Sequence, residues 1–236
     1  MTVAQPLDRP ATVAAIHQPN YAPWLGYFHK IARADVFVFL DDAQFPKNGY
    51  TNRVQILTRG VPRWLTVAAQ VSLGEPINVV RPAQADWGRR HLDALKGTYA
   101  AAPAFNAVWP RVREIWSSAP DADLAAINRH IVEAVSGELG LRARFAASSE
   151  LAIAGRGGAR LAAIVAALAP GGVYLSGRGG ANYQDEADFA RAGLSLRYSD
   201  FARRPYDQDG GAFVPGLSVL DAVFRLGWTG AADLVA

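Results

Sequence analysis

The chain has 236 residues, half of them apolar and 19% charged, which gives it enough apolar material for a sizeable core and excludes disorder, collagen-like repeats and a coiled coil. Its 24 basic and 21 acidic residues leave a formal charge of +3 with no long Lys/Arg run, so no double-stranded nucleic-acid surface is expected, and the charge fits an anionic small-molecule substrate as easily as RNA. With no Cys, disulfides, Cys-ligated zinc and a thiol nucleophile are excluded, and a cytoplasmic setting is expected.

Met1 to Pro10 has no apolar stretch and does not read as a signal peptide. Residues 12–17, Thr-Val-Ala-Ala-Ile-His, form a short apolar run typical of a buried strand, closed by a loop with Pro19 and Pro23. Leu25, Phe28 and Ile31 then share a helix face, predicting a helix from Trp24 to about Ala34, and Asp35–Asp41 reads as a second buried strand. Strand, helix, strand in that order favours a parallel pair. Arg59-Gly60, between Val54–Leu57 and Trp64–Val67, predicts a β-hairpin, and Asn48-Gly49 predicts a turn.

From about 84 to 168 the spacing becomes helical, with Leu92, Leu95 and Tyr99 in one segment and Leu124, Ile127 and Ile131 in another. Leu161–Leu168, the most apolar later stretch, is too short to cross a bilayer, so no transmembrane segment is expected. Strand character returns at Val173–Ser176 and Leu194–Tyr198. Ser218 and Asp221 predict a capping box opening a last helix that ends at Gly227. The whole chain, 1–236, reads as a single α/β domain, with a mostly parallel Rossmann-like sheet, a β-hairpin and an inserted helical section.

Three constellations carry candidate chemistry. The first runs from His17 to Tyr27, where a strand end and a helix start bring His17, Gln18, Asn20, Tyr21 and Tyr27 near one point. The second is Asp41-Asp42 with Gln44 and Lys47, followed by Asn52 and Arg53. Paired carboxylates there suit a metal, a ribose or amine, or a general base, and the spacing selects none of these. Arg53 is a bidentate partner for an anion. The third is Ser176-Gly177 and the glycine-rich loop to Tyr183, which lets backbone N–H groups approach an anion without the spacing of a P-loop.

These residues resemble those of the WbqC-like family: His17-x-Pro-x-x-x-Pro-x-x-Gly-Tyr27, Asp41-Asp-x-Gln-Phe with Asn52-Arg53, Trp64-Leu-Thr-Val, Tyr174-Leu-Ser-Gly with Tyr183, and Pro215-Gly-Leu-Ser-x-Leu-Asp221, in that order. The resemblance implies a place in the biosynthesis of surface polysaccharides and sugar derivatives, and specifies no reaction or cofactor. Arg178 departs from the pattern, where Pro or a small residue is expected. The opening segment also resembles nucleotidylyl transferases and pantothenate synthetase, implying a nucleotidyltransferase-like fold. Trp24 and Tyr27 stand where their two phosphate-binding histidines would be, which argues against adenylyl transfer by their mechanism.

The leading expectation is a small-group transferase acting on an activated amino sugar or related metabolite, with His17 as general base, Asp41 or Asp42 orienting it or the acceptor amine, and Gln18, Asn20, Arg53 and the 176–180 loop binding substrate. No metal ligands are assigned, and an aminoacyl-tRNA stays open as donor. A non-catalytic nucleotide or nucleotide-sugar binding protein and a scaffold for a neighbouring enzyme are the alternatives.

Overall fold

A computed structural model describes residues 11–182 and 184–236; Met1–Pro10 and the site candidate Tyr183 lie outside the described residues. The first apolar runs form β1 (Val13–His17) and β2 (Val36–Phe39), joined by α1 (Leu25–Ala32). Neither strand alternates polar with apolar residues, because both sheet faces are covered. They pair in parallel, Ala14 opposite Val36 and His17 opposite Phe39.

Arg59 and Gly60 both take positive φ, 51° and 73°, the turn a tight hairpin demands. They join β3 (Arg53–Thr58) to β4 (Val61–Thr66) in a separate antiparallel pair. Three helices follow: α2 (Trp87–Tyr99), α3 (Phe105–Ser117) and α4 (Leu124–Glu138). The stretch read as helical then contains a strand, β5 (Arg144–Ala147), ahead of α5 (Gly157–Leu168). Its Arg-Phe-Ala-Ala has no strand signature of its own and is held extended by pairing with β2. The chain ends with β6 (Val173–Ser176), α6 (Glu186–Arg191), β7 (Ser195–Tyr198) and α7 (Val219–Val235).

The main sheet runs β5-β2-β1-β6-β7, and every neighbouring pair is parallel. This is the doubly wound order, in which the chain leaves β1 toward β2 on one side and returns on the other at β6. One face packs Ala15, Phe37, Phe39 and Leu175 with residues of α1, α7, the α2–α4 section and the hairpin. The opposite face packs Ala14, Ile16, Val36, Val38 and Tyr174 against α5 and α6.

The capping-box expectation at the start of α7 needs correction. Ser218 caps α7, accepting from the Leu220 N–H, but Asp221 is fully buried and bonds to side chains of other segments rather than closing a capping box. Gly227, at φ 74° and ψ 176°, is non-helical and ends the first helical stretch as expected, but a second stretch continues beyond this kink to Val235. Among the described residues no helix is long and apolar enough to cross a membrane.

Candidate functional site

In a doubly wound sheet the connections diverge between β1 and β6, and a crevice opens beyond their carboxyl ends. His17 is the last residue of β1 and Ser176 the last of β6. Beyond them lies a cleft of two lobes. The first, about 470 Å³, is walled by Gln18, Leu40, Leu161, Tyr174 and Ser176, and the second, about 540 Å³, by Trp24, Tyr27, Arg178, Phe201 and Arg203. His17, Lys30, Gly177 and Gly179 border both lobes.

The His17 Nδ1 lies 3.0 Å from the Gln18 carbonyl oxygen. A carbonyl only accepts, so Nδ1 carries the hydrogen and Nε2 keeps its lone pair as an acceptor. The Tyr27 ring meets the imidazole edge-on at 4.8 Å, and its hydroxyl donates to the same carbonyl at 3.0 Å. Burial, reinforced by the charge of Lys30 and opposed by the Gln18 carbonyl, pulls the His17 pKa down to about 3, so the ring is neutral at physiological pH. Lys30 is only 3% exposed and donates from Nζ to the Ile16 carbonyl at 2.9 Å. Burial lowers its pKa to about 7.

The walls depend on two glycines. At Gly180 a Cβ would lie 2.4 Å from Ser176 Oγ and 2.6 Å from Gln184 Oε1, so a larger residue there would push both side chains aside where the loop folds back over the end of β6. At Gly26 a Cβ would lie 2.3 Å from the Trp24 indole, which covers the start of α1, packs edge-on to Phe201 at 5.4 Å and has the Arg203 guanidinium 6.0 Å from its ring centre. Gly26→Ala is therefore expected to turn Trp24 out of place and destabilise the protein by about 1–3 kcal/mol, the usual cost of overpacking. Near-UV circular dichroism and a urea melt check this; unchanged spectra and stability would show that the wall yields freely.

The sequence profile of the WbqC-like protein family matches residues 18–232. This chain belongs to the WbqC-like protein family. It is 33% identical over 216 residues to an uncharacterised Mycobacterium tuberculosis protein, Rv1507c, covering 90% of this chain and 93% of that one. No solved structure matches the chain. The span shared with the WbqC-like profile begins one residue past His17 and includes Lys30, the glycine loop and Arg203.

Of the residues singled out in this WbqC-like sequence, His17, Gln18, Tyr27, Ser176 and Gly177 gather at the cleft. Asp41 and Asp42 do not line it. Asp41 accepts from Ser148 Oγ, Ser149 N and Ser149 Oγ at 2.5–3.0 Å, and borders a separate depression of about 270 Å³ with Asn78, Arg129 and Glu150. Asp42 receives both terminal nitrogens of Arg160 and bonds to Ser148 Oγ at 2.6 Å. Burial pushes its carboxyl upward, but Arg160 and Ser148 hold it below the usual range. These oxygens are filled by protein donors, so the pair ties the end of β2 to β5 and α5 rather than facing the cleft.

Arg53 is likewise committed elsewhere: it stacks 4.4 Å over Trp64 and donates to the Asn48 and Gly49 carbonyls, bracing that turn. Tyr21 is buried in the core, where its hydroxyl accepts from Trp116 Nε1 at 2.8 Å and pairs with His91 Nδ1 at 2.6 Å, so it does not reach the cleft. Asn20 is buried, Gln44 and Lys47 are exposed outside the cleft, and Asn52 donates to the Val67 carbonyl. Gln44 still bears on the cleft, since Gln18 Nε2 reaches its carbonyl at 3.4 Å.

Lys30, Trp24 and Arg203 also wall the cleft, although none of the three sequence constellations marks them as binding residues. One signal marks Lys30: it stands on a short helix whose residues Gly26–Ile31 are all buried, so α1 offers it no solvent face. A larger depression, about 660 Å³, lies between α2 and α3, but its charges pair with each other, Arg89 with Asp86 at 2.8 Å and Arg81 with Asp121 at 3.9 Å. Among the described residues no group of three or more His, Asp or Glu side chains converges as a metal site would.

Proposed function

We propose that this WbqC-like protein is a group-transfer enzyme that moves a small acyl or aminoacyl unit onto an amine or hydroxyl of an activated sugar. The observation that carries the reading is the pair of lobes with a shared floor: His17 and Lys30 border both, so two substrates held side by side meet over the same polar groups. Holding two reactants in line is itself a large part of catalysis, with effective molarities of about 10⁵–10⁸ M for well-oriented pairs.

The second lobe suits the sugar. Arg178 and Arg203 match a diphosphate, and Trp24 and Phe201 offer aromatic faces for a base. The first lobe, with Leu40, Leu161, Tyr174 and Ser176, suits a small uncharged group. His17, neutral and accepting at Nε2, holds the N–H or O–H of the acceptor. We place the reaction in surface-glycan or specialised-metabolite synthesis in the cytoplasm, where such sugars are activated.

The test is turnover in mixtures of nucleotide-activated amino sugars with acyl-thioester and aminoacyl donors, read by mass spectrometry. Arg203→Ala is expected to raise the KM for the sugar about tenfold or more with kcat little changed, the signature of lost ground-state binding. A nucleotide sugar that raises the Tm but is returned unchanged with every donor would replace this reading with a binding protein.

A further inference from the structure

We propose that Lys30 is the proton-transferring residue of this reaction, taking the proton from the acceptor in one lobe and delivering it to the leaving group in the other. The inference rests on the transferase reading above and adds the group that makes it run.

Of the 24 basic residues only three are lysines, Lys30, Lys47 and Lys96. Lys47 and Lys96 are exposed and Lys30 is buried. Burying an ammonium is costly unless a carboxylate pairs with it. Among the described residues that line the two lobes there is no Asp or Glu. The polar partner of Nζ is the Ile16 carbonyl, which a neutral amine can also donate to while keeping its lone pair.

The groups that face the cleft beside it also discourage a positive charge there. They are His17 from β1, Tyr27 from α1, Tyr174 from β6, Arg178 from the glycine loop and Arg203 beyond β7. Two are cations and none is an anion at neutral pH. Lys30 therefore titrates near neutrality, with burial bringing it to about 7, whereas His17 at about 3 is too weak a base for efficient proton transfer.

The step balances without an oxidant or metal. As the amine or hydroxyl of the sugar forms its bond to the donor carbonyl carbon, its proton passes to neutral Lys30 Nζ. As the bond from that carbon to the leaving group breaks, the Lys30 ammonium returns the proton to the departing atom. Lys30 lines both lobes, so the proposed relay needs no second group.

The first experiment needs no substrate. The intact protein is exposed to trace acetic anhydride from pH 6 to 10, and acetylation at each of the three lysines is quantified by peptide mass spectrometry. Lys30 is expected to gain reactivity with a midpoint near pH 7, where an ordinary lysine titrates at about 10.4. A midpoint in the ordinary range, or no acetylation of Lys30 at any pH, overturns the proposal and leaves the transferase reading standing.

The second experiment uses the transfer assay. Lys30→Met is expected to lower kcat about 10²- to 10⁴-fold, keep the sugar KM within a few-fold and abolish the acid limb of the pH profile. Turnover within about threefold of the unaltered protein, well short of that range, overturns the assignment. Failure of the unaltered protein to turn over any donor counts against the transferase reading alone, because the acetylation profile reads Lys30 independently.

Discussion

Asp221→Ala is expected to destabilise the protein by about 3–5 kcal/mol, the usual cost of stripping one partner from a buried ion pair. Asp221 is fully buried near the start of α7 and accepts from Tyr99 at 3.0 Å, Tyr206 at 2.8 Å, Gln208 at 3.2 Å and Arg225 Nε at 3.3 Å. Without it, Arg225 keeps, among the described residues, the exposed Asp209 at 2.6 Å, and two tyrosine hydroxyls lose their carboxylate acceptor. A loss of that size takes a large part of a typical domain's stability. Asp221→Asn, which keeps one acceptor oxygen, should lose less. Urea denaturation of both variants checks the argument, and a loss below about 1 kcal/mol, the worth of a single ordinary hydrogen bond, would show that the network does not hold α7.

The second large effect is a rise in stability with pH across the neutral and mildly basic range. Lys30 titrates at about 7 in the folded protein against 10.5 for an unperturbed lysine, so between those values the unfolded chain binds more protons. Unfolding then becomes harder as pH increases, with a slope approaching about 1.4 kcal/mol per pH unit for one proton. His17 acts in the same sense lower down, costing stability as pH falls from 6.5 toward about 3. Tyr21, Tyr27 and Tyr206 oppose the trend only near and above the usual phenol range, because burial raises all three. Urea midpoints at pH 7, 8 and 9 should therefore climb in the unaltered protein and stay level in Lys30→Met, which should also be the more stable of the two at pH 7. A level profile in the unaltered protein, or an equal climb in the variant, would show that Lys30 is charged in the fold.

The strands of the sheet centre are legible because a run such as Val-Ala-Ala-Ile, buried on both faces, has no other economical home, and the hairpin because Arg59-Gly60 marks its turn. β5 is not legible: Arg-Phe-Ala-Ala favours no strand, and only its partner β2 makes it one. The same limit applies to the site. That Asp41 and Asp42 follow a strand end is written in the local sequence, but Ser148 and Arg160, which occupy their oxygens, come from more than a hundred residues away. The same holds for Arg53 and Tyr21, whose partners Trp64 and Trp116 are chosen by packing. Arg178, a departure from the pattern of the resembled family, turns out to wall the second lobe, where its charge adds to that of Arg203.

If the proposed transfer takes place there, the partition of the cleft into two lobes has a consequence for inhibition. A compound that joins a nucleotide-sugar mimic to an acyl mimic by a link short enough to pass over His17 and Lys30 would occupy both lobes as one molecule. Its second half would bind at an effective concentration in about the millimolar range set by the link, so its affinity should exceed that of either half by about 10²- to 10⁴-fold. The gain should vanish when the link is too short to span Gly177 and Gly179, which makes the optimum link length a measure of how far apart the two reacting atoms are held.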